Sequence, residues 1–217
     1  MGIREKRNLV KRDLVLEQAG PLFYRYGYEY TSMKSIAEGC NLGMNAIYSV
    51  FGSKEQICAE LFLQAQQEFV GAFKQILAGS DLLPVNNRAI MDLYIDFYSR
   101  HNFLYEIVWL VISGQIQAEL KTGTVELIHD NFIDLLDSYS SYLEKLQHSG
   151  AIGAALDLKK LTAAFWCMMS GLASNYIHKT GEVTGVSNND IRELELDMVL
   201  KILQYDPKEE SAASNRV

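Results

Sequence analysis

Apolar residues recur at helical steps along nearly the whole chain, and alternating runs bounded by turn residues are missing. In the first segment Val15, Leu16, Ala19, Leu22, Phe23 and Tyr26 share one face. Pro21 sits inside that face and is expected to bend the helix near residues 17–21, and Gly27 to end it as a left-handed cap. A second helix should start from Ser32 or Thr31 as N-cap and bury Met33, Ile36 and Ala37. Cys40-Asn41-Leu42-Gly43 then reads as a turn, with Asn41 at positive φ and Gly43 capping a third helix, Met44–Val50. Ser53 and Gln56 spell a capping box that opens a long helix to about Leu77. After a break at Ala78–Pro84, helices are predicted at about 86–100, 103–120, 123–148, 157–179 and 189–204, with Gly150 and Gly181 at C-terminal cap positions. The fold class is all-α, with about nine helices. A three-helix helix-turn-helix module occupies 1–52, a larger helical body 53–206 and a polar tail 207–217.

Composition narrows the function classes. The chain has 217 residues, 48% of them apolar, with 15 Gly and 3 Pro, so a large core is available and long irregular stretches are not expected. Met1–Arg12 is polar and lacks the apolar segment of a leader, and no window approaches a membrane span. The cysteines (Cys40, Cys58, Cys167) are far apart and fit neither a disulfide framework nor a zinc site, which predicts a reduced, cytoplasmic protein. His101, His129, His148 and His178 have no metal-ligand spacing, and phosphate loops and nucleophile elbows are missing, so neither enzyme activity nor a cofactor is expected. Net charge is −7, but its distribution is uneven. Residues 1–55 carry +2 and the remainder −9, with Arg4, Lys6, Arg7, Lys11 and Arg12 crowded at the start.

Thr31–Ile57 holds two short helices, a tight turn and the start of another helix, a device that places a helix in the DNA major groove. Met44–Val50 contains neither Arg nor Lys, so bidentate guanine recognition from this helix is excluded. Asn45 suits an adenine edge, and Met44 or Ala46 a thymine methyl, which predicts an operator core favouring A/T pairs. Phosphate contacts are expected from Arg4, Lys6, Arg7, Lys34 and Lys54. Tyr48 reads either as a phosphate contact or as a core tyrosine packing on the first helix, and Lys54 either as a phosphate contact or as a solvated first-turn lysine.

Val15-Leu16, Ala19, Leu22-Phe23, Gly27-Tyr28, Thr31, Ile36-Ala37 and Ile47-Tyr48-Ser49-Val50-Phe51-Gly52-Ser53-Lys54-Glu55 resemble the DNA-binding domain of the tetracycline-repressor (TetR) family. Two positions depart from its pattern: Met44-Asn45 stand where Lys-Gly is frequent, and Asn41 replaces the turn glycine. The resemblance implies a homodimeric, ligand-responsive regulator, usually a repressor, that binds a double-stranded DNA operator and responds to a small-molecule effector. It implies that Tyr48 and Lys54 contact phosphates, that Thr31 and Ser32 hold the backbone at the start of the second helix, and that residues 43–49, including Gly43, Met44, Asn45 and Ser49, lie in the major groove.

The same resemblance places an effector pocket in the body, where Tyr94, Phe97, Tyr98, Phe103, Tyr105 and Trp109 crowd together near Phe62 and Phe69. Such a cluster suits an apolar or aromatic effector, and equally an ordinary aromatic core. Ala163–Ser174 is apolar nearly all round and rich in small residues. With the helix around Phe132, Leu136 and Tyr139 it reads as half of an intersubunit four-helix bundle using Phe165, Met169 and Leu172, or as an intramolecular core. The rival from another class is a helical small-molecule or lipid-binding protein whose amino-terminal module has lost DNA reading.

Overall fold

The computed structural model describes residues 2–80, 82–104, 111, 114–116, 118 and 120–204, with backbone alone at 3, 4, 180 and 204. The described residues form helices and turns, without strands. They are α1 (Ile3–Tyr30), α2 (Met33–Gly39), α3 (Met44–Val50), α4 (Lys54–Gly79), α5 (Leu83–Arg100), α6 (Thr122–His148), α7 (Leu158–Ile177), α8 (Thr180–Thr184) and α9 (Asn188–Gln204). The boundaries follow the hydrophobic spacing closely, with two exceptions. The helix expected at 103–120 is interrupted by a turn at 114–116, where Gly114 takes φ 77°. The five-residue α8 has no periodic signal because it is too short to have one.

The chain groups into two compact units that interleave in sequence: Met1–Glu68 with Arg100–Asn131, and Phe69–Ser99 with Phe132–Val217. The first is built on side chains with no exposed surface: Val15, Ala19 and Phe23 of α1, Ile36 of α2, Ile47 of α3, Phe51, and Ile57 of α4. Each such Val, Ile or Phe contributes about 1.5–3 kcal/mol by burial. The apolar face of α1 is narrower than its spacing suggested. Pro21 lies exposed rather than inside it, Tyr26 is 50% exposed, and Met33 of α2 is only half buried.

Gly27 breaks α1, but not as a left-handed cap. It adopts φ 80° and ψ 167°, a region in which only glycine is comfortable, and one further turn follows. Thr31 Oγ1 donates to the Gly27 carbonyl at 2.8 Å and so secures that turn. In α4, Ser53 Oγ accepts from Gln56 N at 3.1 Å, the first half of the expected capping box. The Gln56 side chain itself runs inward and is 1% exposed.

The core of the second unit is Ile90 and Met91 of α5, Leu143 of α6, and Met169 and Leu172 of α7, all at most 1% exposed. Around them the rings of Phe69, Phe73, Tyr94, Phe97, Tyr98, Tyr139 and Phe165 meet at centroid distances of 4.5–6.3 Å. Gly150, at φ 77°, closes α6 in a Schellman motif: Ala151 N donates to Leu146 O and Gly150 N to Gln147 O. Gly181 is not a C-cap. It lies inside α8, where a Cβ would stand 2.6 Å from the Val186 carbonyl oxygen, and the left-handed residue after α7 is Lys179, at φ 50°.

Candidate nucleic-acid interface and effector pocket

The two short helices are set by local hydrogen bonds. Ser32 and Ser35 exchange bonds at the start of α2, with Ser35 N donating to Ser32 Oγ at 3.1 Å and Ser32 N to Ser35 Oγ at 3.0 Å. At its end Leu42 N donates to Ala37 O and Asn41 N to Glu38 O, a Schellman motif with Asn41 at φ 51°. Asparagine therefore does here what glycine does elsewhere. Gly43 precedes α3 with φ −71° and ψ 153°, which any residue adopts, and a Cβ there would meet nothing within 4 Å.

Helix α3 is pinned by Ile47 and followed by Phe51, both with no exposed surface. Its other side turns outward. Asn45 and Ser49 are exposed, Met44 is 38% exposed and Tyr48 50%. Tyr48 is thus no core tyrosine. Ser49 Oγ donates to Ala46 O at 2.7 Å.

The basic residues divide into two groups. Lys6 and Arg7 are exposed on α1, and Lys34 is exposed with Glu38 at 3.9 Å, a pairing that water weakens. The Arg4 side chain lies outside the described residues. Lys54, by contrast, is engaged within the module. Its Nζ donates to Tyr28 O at 2.9 Å and lies 4.0 Å from the Tyr28 ring centroid. Tyr28 Oη in turn donates to Glu55 Oε1 at 2.5 Å, and burial followed by that bond pushes the Tyr28 pKa up. Thr31, 2% exposed, also faces inward.

Sequence reading missed the polar chain beneath α3. The Arg12 guanidinium lies 4.8 Å from the Phe51 ring centroid and pairs with Glu60 Oε2. Gln56 Nε2 donates to Glu60 Oε1 at 2.7 Å and to Thr124 Oγ1 at 2.8 Å, while Gln56 Oε1 accepts from Lys121 N at 2.8 Å. Gln56 and Glu60 are one helical turn apart, but Arg12, Lys121 and Thr124 are too far away in sequence for any spacing rule to join them to this pair.

The aromatic residues proposed for an effector fall into separate groups. Phe62 and Phe103 belong to the first unit, where Phe103 stacks on Phe23 at 5.6 Å; Tyr105 and Trp109 lie outside the described residues. Phe69, Tyr94, Phe97 and Tyr98 belong to the second unit, and Phe69 and Tyr94 line a cavity of about 10 Å³ with Phe73, Tyr139, Phe165 and Trp166. A neighbouring hollow of about 70 Å³ is lined by Tyr139 and Phe165 again, with Met168 of α7 and Val199 and Ile202 of α9.

Four residues assigned from the sequence to an intersubunit seam are core within one chain. Tyr139, Phe165, Met169 and Leu172 are 2%, 7%, 1% and 0% exposed, and a side chain already covered has no surface left for a partner. Phe132 and Leu136 are half buried. The uncovered apolar faces are elsewhere: Ala163, Ala164, Cys167 and Gly171 on α7, and Leu194, Met198 and Ile202, at one-turn intervals, on α9.

A capped α2, a Schellman turn and an outward-facing α3 define a helix-turn-helix DNA-binding module carried by an all-helical chain. A family profile described as "Bacterial regulatory proteins, tetR family" matches residues 15–61. YhgD of Bacillus subtilis, an uncharacterized HTH-type transcriptional regulator, is 27% identical over 143 residues, 65% of this chain and 72% of its own. UidR of Escherichia coli K12 is 25% identical over 97 residues, 45% of this chain and half of the relative. The fold also matches PfmR of Thermus thermophilus (TM-score 0.64, 21% identity, 86% of this chain and 97% of that one). It likewise matches AibR in complex with isovaleryl coenzyme A and operator DNA (TM-score 0.61, 19% identity, 87% and 97%). Residues 15–61 thus match the TetR-type helix-turn-helix domain, and the chain as a whole is similar to transcriptional regulators that carry it. Among the described residues no helix is long and apolar enough to cross a membrane.

Proposed function

We propose that the protein binds a pseudo-palindromic operator as a homodimer, represses from it, and is released by a small apolar or aromatic effector. The observation that carries this reading is α3, with Ile47 buried and Met44, Asn45, Tyr48 and Ser49 turned to solvent along one exposed edge. Exposed Lys6, Arg7 and Lys34 supply phosphate contacts, and the bare backbone at Gly43 allows close approach of a phosphate. Two such modules would address half-sites about 34 Å apart. The dimer is assigned to the uncovered faces of α7, whose small residues permit close helix approach, and of α9, whose Leu194, Met198 and Ile202 offer apolar surface. The effector is assigned to the aromatic interior of the second unit, where the lining of the 10 Å³ cavity carries no charged side chain. Footprinting on DNA flanking its own gene tests the reading. The expected result is one protected site with two-fold symmetric sequence, lost when an effector is added; absence of any sequence-preferred protection overturns it.

A further inference from the structure

Two buried polar atoms without partners stand at the 10 Å³ cavity, one on its lining and one behind the lining residue Tyr139. Thr162 lines it, is 6% exposed, and its Oγ1 has no hydrogen-bond partner. Asn87 lies one turn before the lining residue Ile90 and is fully buried. Its Oδ1 accepts from Tyr139 Oη at 3.0 Å, whereas its Nδ2 has no partner. A buried polar atom left unsatisfied costs about 1–3 kcal/mol. Of the two, Thr162 lines the cavity, so its hydroxyl is an unmet demand for a hydrogen-bond acceptor there. Threonine within a helix can satisfy itself on a carbonyl of the preceding turn. Thr162 does not, which leaves its hydroxyl to whatever fills the cavity.

Phe165 and Tyr139 stack at 4.5 Å with an interplanar angle of 14° and form the wall between the 10 Å³ cavity and the 70 Å³ hollow. A swing of Phe165 toward the hollow would join the two and expose the Tyr139 ring face. That face is then free for an inserted ring, in the cavity that the Thr162 hydroxyl lines.

Resting on the effector reading above, we infer that the effector is an uncharged ring compound bearing one carbonyl oxygen, which replaces Phe165 on Tyr139 and accepts from Thr162 Oγ1. A carboxylate is disfavoured because the lining offers it no cation, and an unpaired buried charge is far costlier than an unpaired dipole. A plain hydrocarbon fills the space but leaves the Thr162 hydroxyl unmet.

Calorimetric titration of the full-length protein with 1-indanone, indane and indane-1-carboxylate tests this, with Trp166 fluorescence as a second readout from the cavity wall. The expected order is indanone tighter than indane by about five- to tenfold, the gain of a satisfied hydrogen bond, with no binding of the carboxylate. Thr162→Val keeps the shape and should fold at least as stably, as thermal unfolding will show; in it the indanone preference should shrink toward unity while indane is unaffected. If indane and indanone bind equally, or the preference survives Thr162→Val, the carbonyl anchor is wrong and the effector site stands. If no ring compound binds or perturbs Trp166, the effector reading falls with it.

Discussion

Lys54 closes the end of α1 from the first residue of α4: its ammonium donates to the Tyr28 carbonyl at 2.9 Å while lying 4.0 Å from the centre of the Tyr28 ring. A lysine at this position is thus structural before it touches any phosphate. Lys54→Ala should lower stability by about 1–2 kcal/mol, since a charge-assisted bond and a cation–π contact go together. Urea unfolding measures that loss. The salt dependence of operator binding separates the second role: if Lys54 also meets a phosphate, the log–log slope falls by about one, and if not, it stays unchanged.

The Arg12–Glu60 pair behaves as a unit. Glu60 is 9% exposed at its side chain and Arg12 31%, so removing either leaves the other partly stranded. Glu60→Leu or Arg12→Leu alone should cost about 2–3 kcal/mol, and the double replacement clearly less than the sum. Denaturation of the four species as a cycle checks this; strict additivity would show the pair to be energetically idle.

Asn41 holds a left-handed backbone at φ 51°. Asn41→Gly should be neutral or slightly stabilising, whereas Asn41→Val should cost about 1–2 kcal/mol. Thermal melts of both variants give the order, and an equal effect of the two would remove the backbone explanation.

Glu195 on α9 sits partly buried with Oε2 lacking a partner, and burial pushes its pKa up to about 7. Its unfolded pKa is near the ordinary 4.5, so the folded state binds the proton more tightly. Stability should be unaffected by this group at pH below 4.5, decline as pH rises from there to about 7, and stay lower above. Solvent screening limits the loss to about 1 kcal/mol. Glu195→Gln should flatten the decline, as unfolding midpoints at pH 5, 7 and 8 will show.

The α9 stripe offers a clean test of assembly. Met198→Arg, at a 50% exposed position, should leave the fold intact and yield a monomer by sedimentation with weakened operator binding. A dimer that survives it would move the interface elsewhere.

Residues whose conformation is decided by near neighbours in the chain were mostly legible in the sequence, Gly27 and Gly181 being the exceptions. Ser32, Asn41, Gly150 and the helix limits around them depend on contacts a few positions away, and the structure places them as the spacing suggested. The outward face of α3 was legible for the same reason. What escaped depends on partners remote in sequence. Tyr139 and Phe165 have the same helical spacing whether they pack within a chain or between two. Gln56 resembled half of a cap because Thr124 and Lys121, its true companions, lie more than sixty residues away.

Gly27 carries a consequence for how the molecule responds to its surroundings. The bend that launches Thr31 and α2 is encoded in a pair of torsion angles that only glycine adopts comfortably. Ionic strength and acidity can loosen a protein's grip on nucleic acid, yet they cannot change which torsions glycine permits, and they reach that hinge-like joint through the Lys54 ammonium on the adjoining Tyr28 carbonyl. The direction in which the reading helices leave α1 should therefore be the same in dilute buffer and in a crowded, salty medium, and only the strength of attachment should vary.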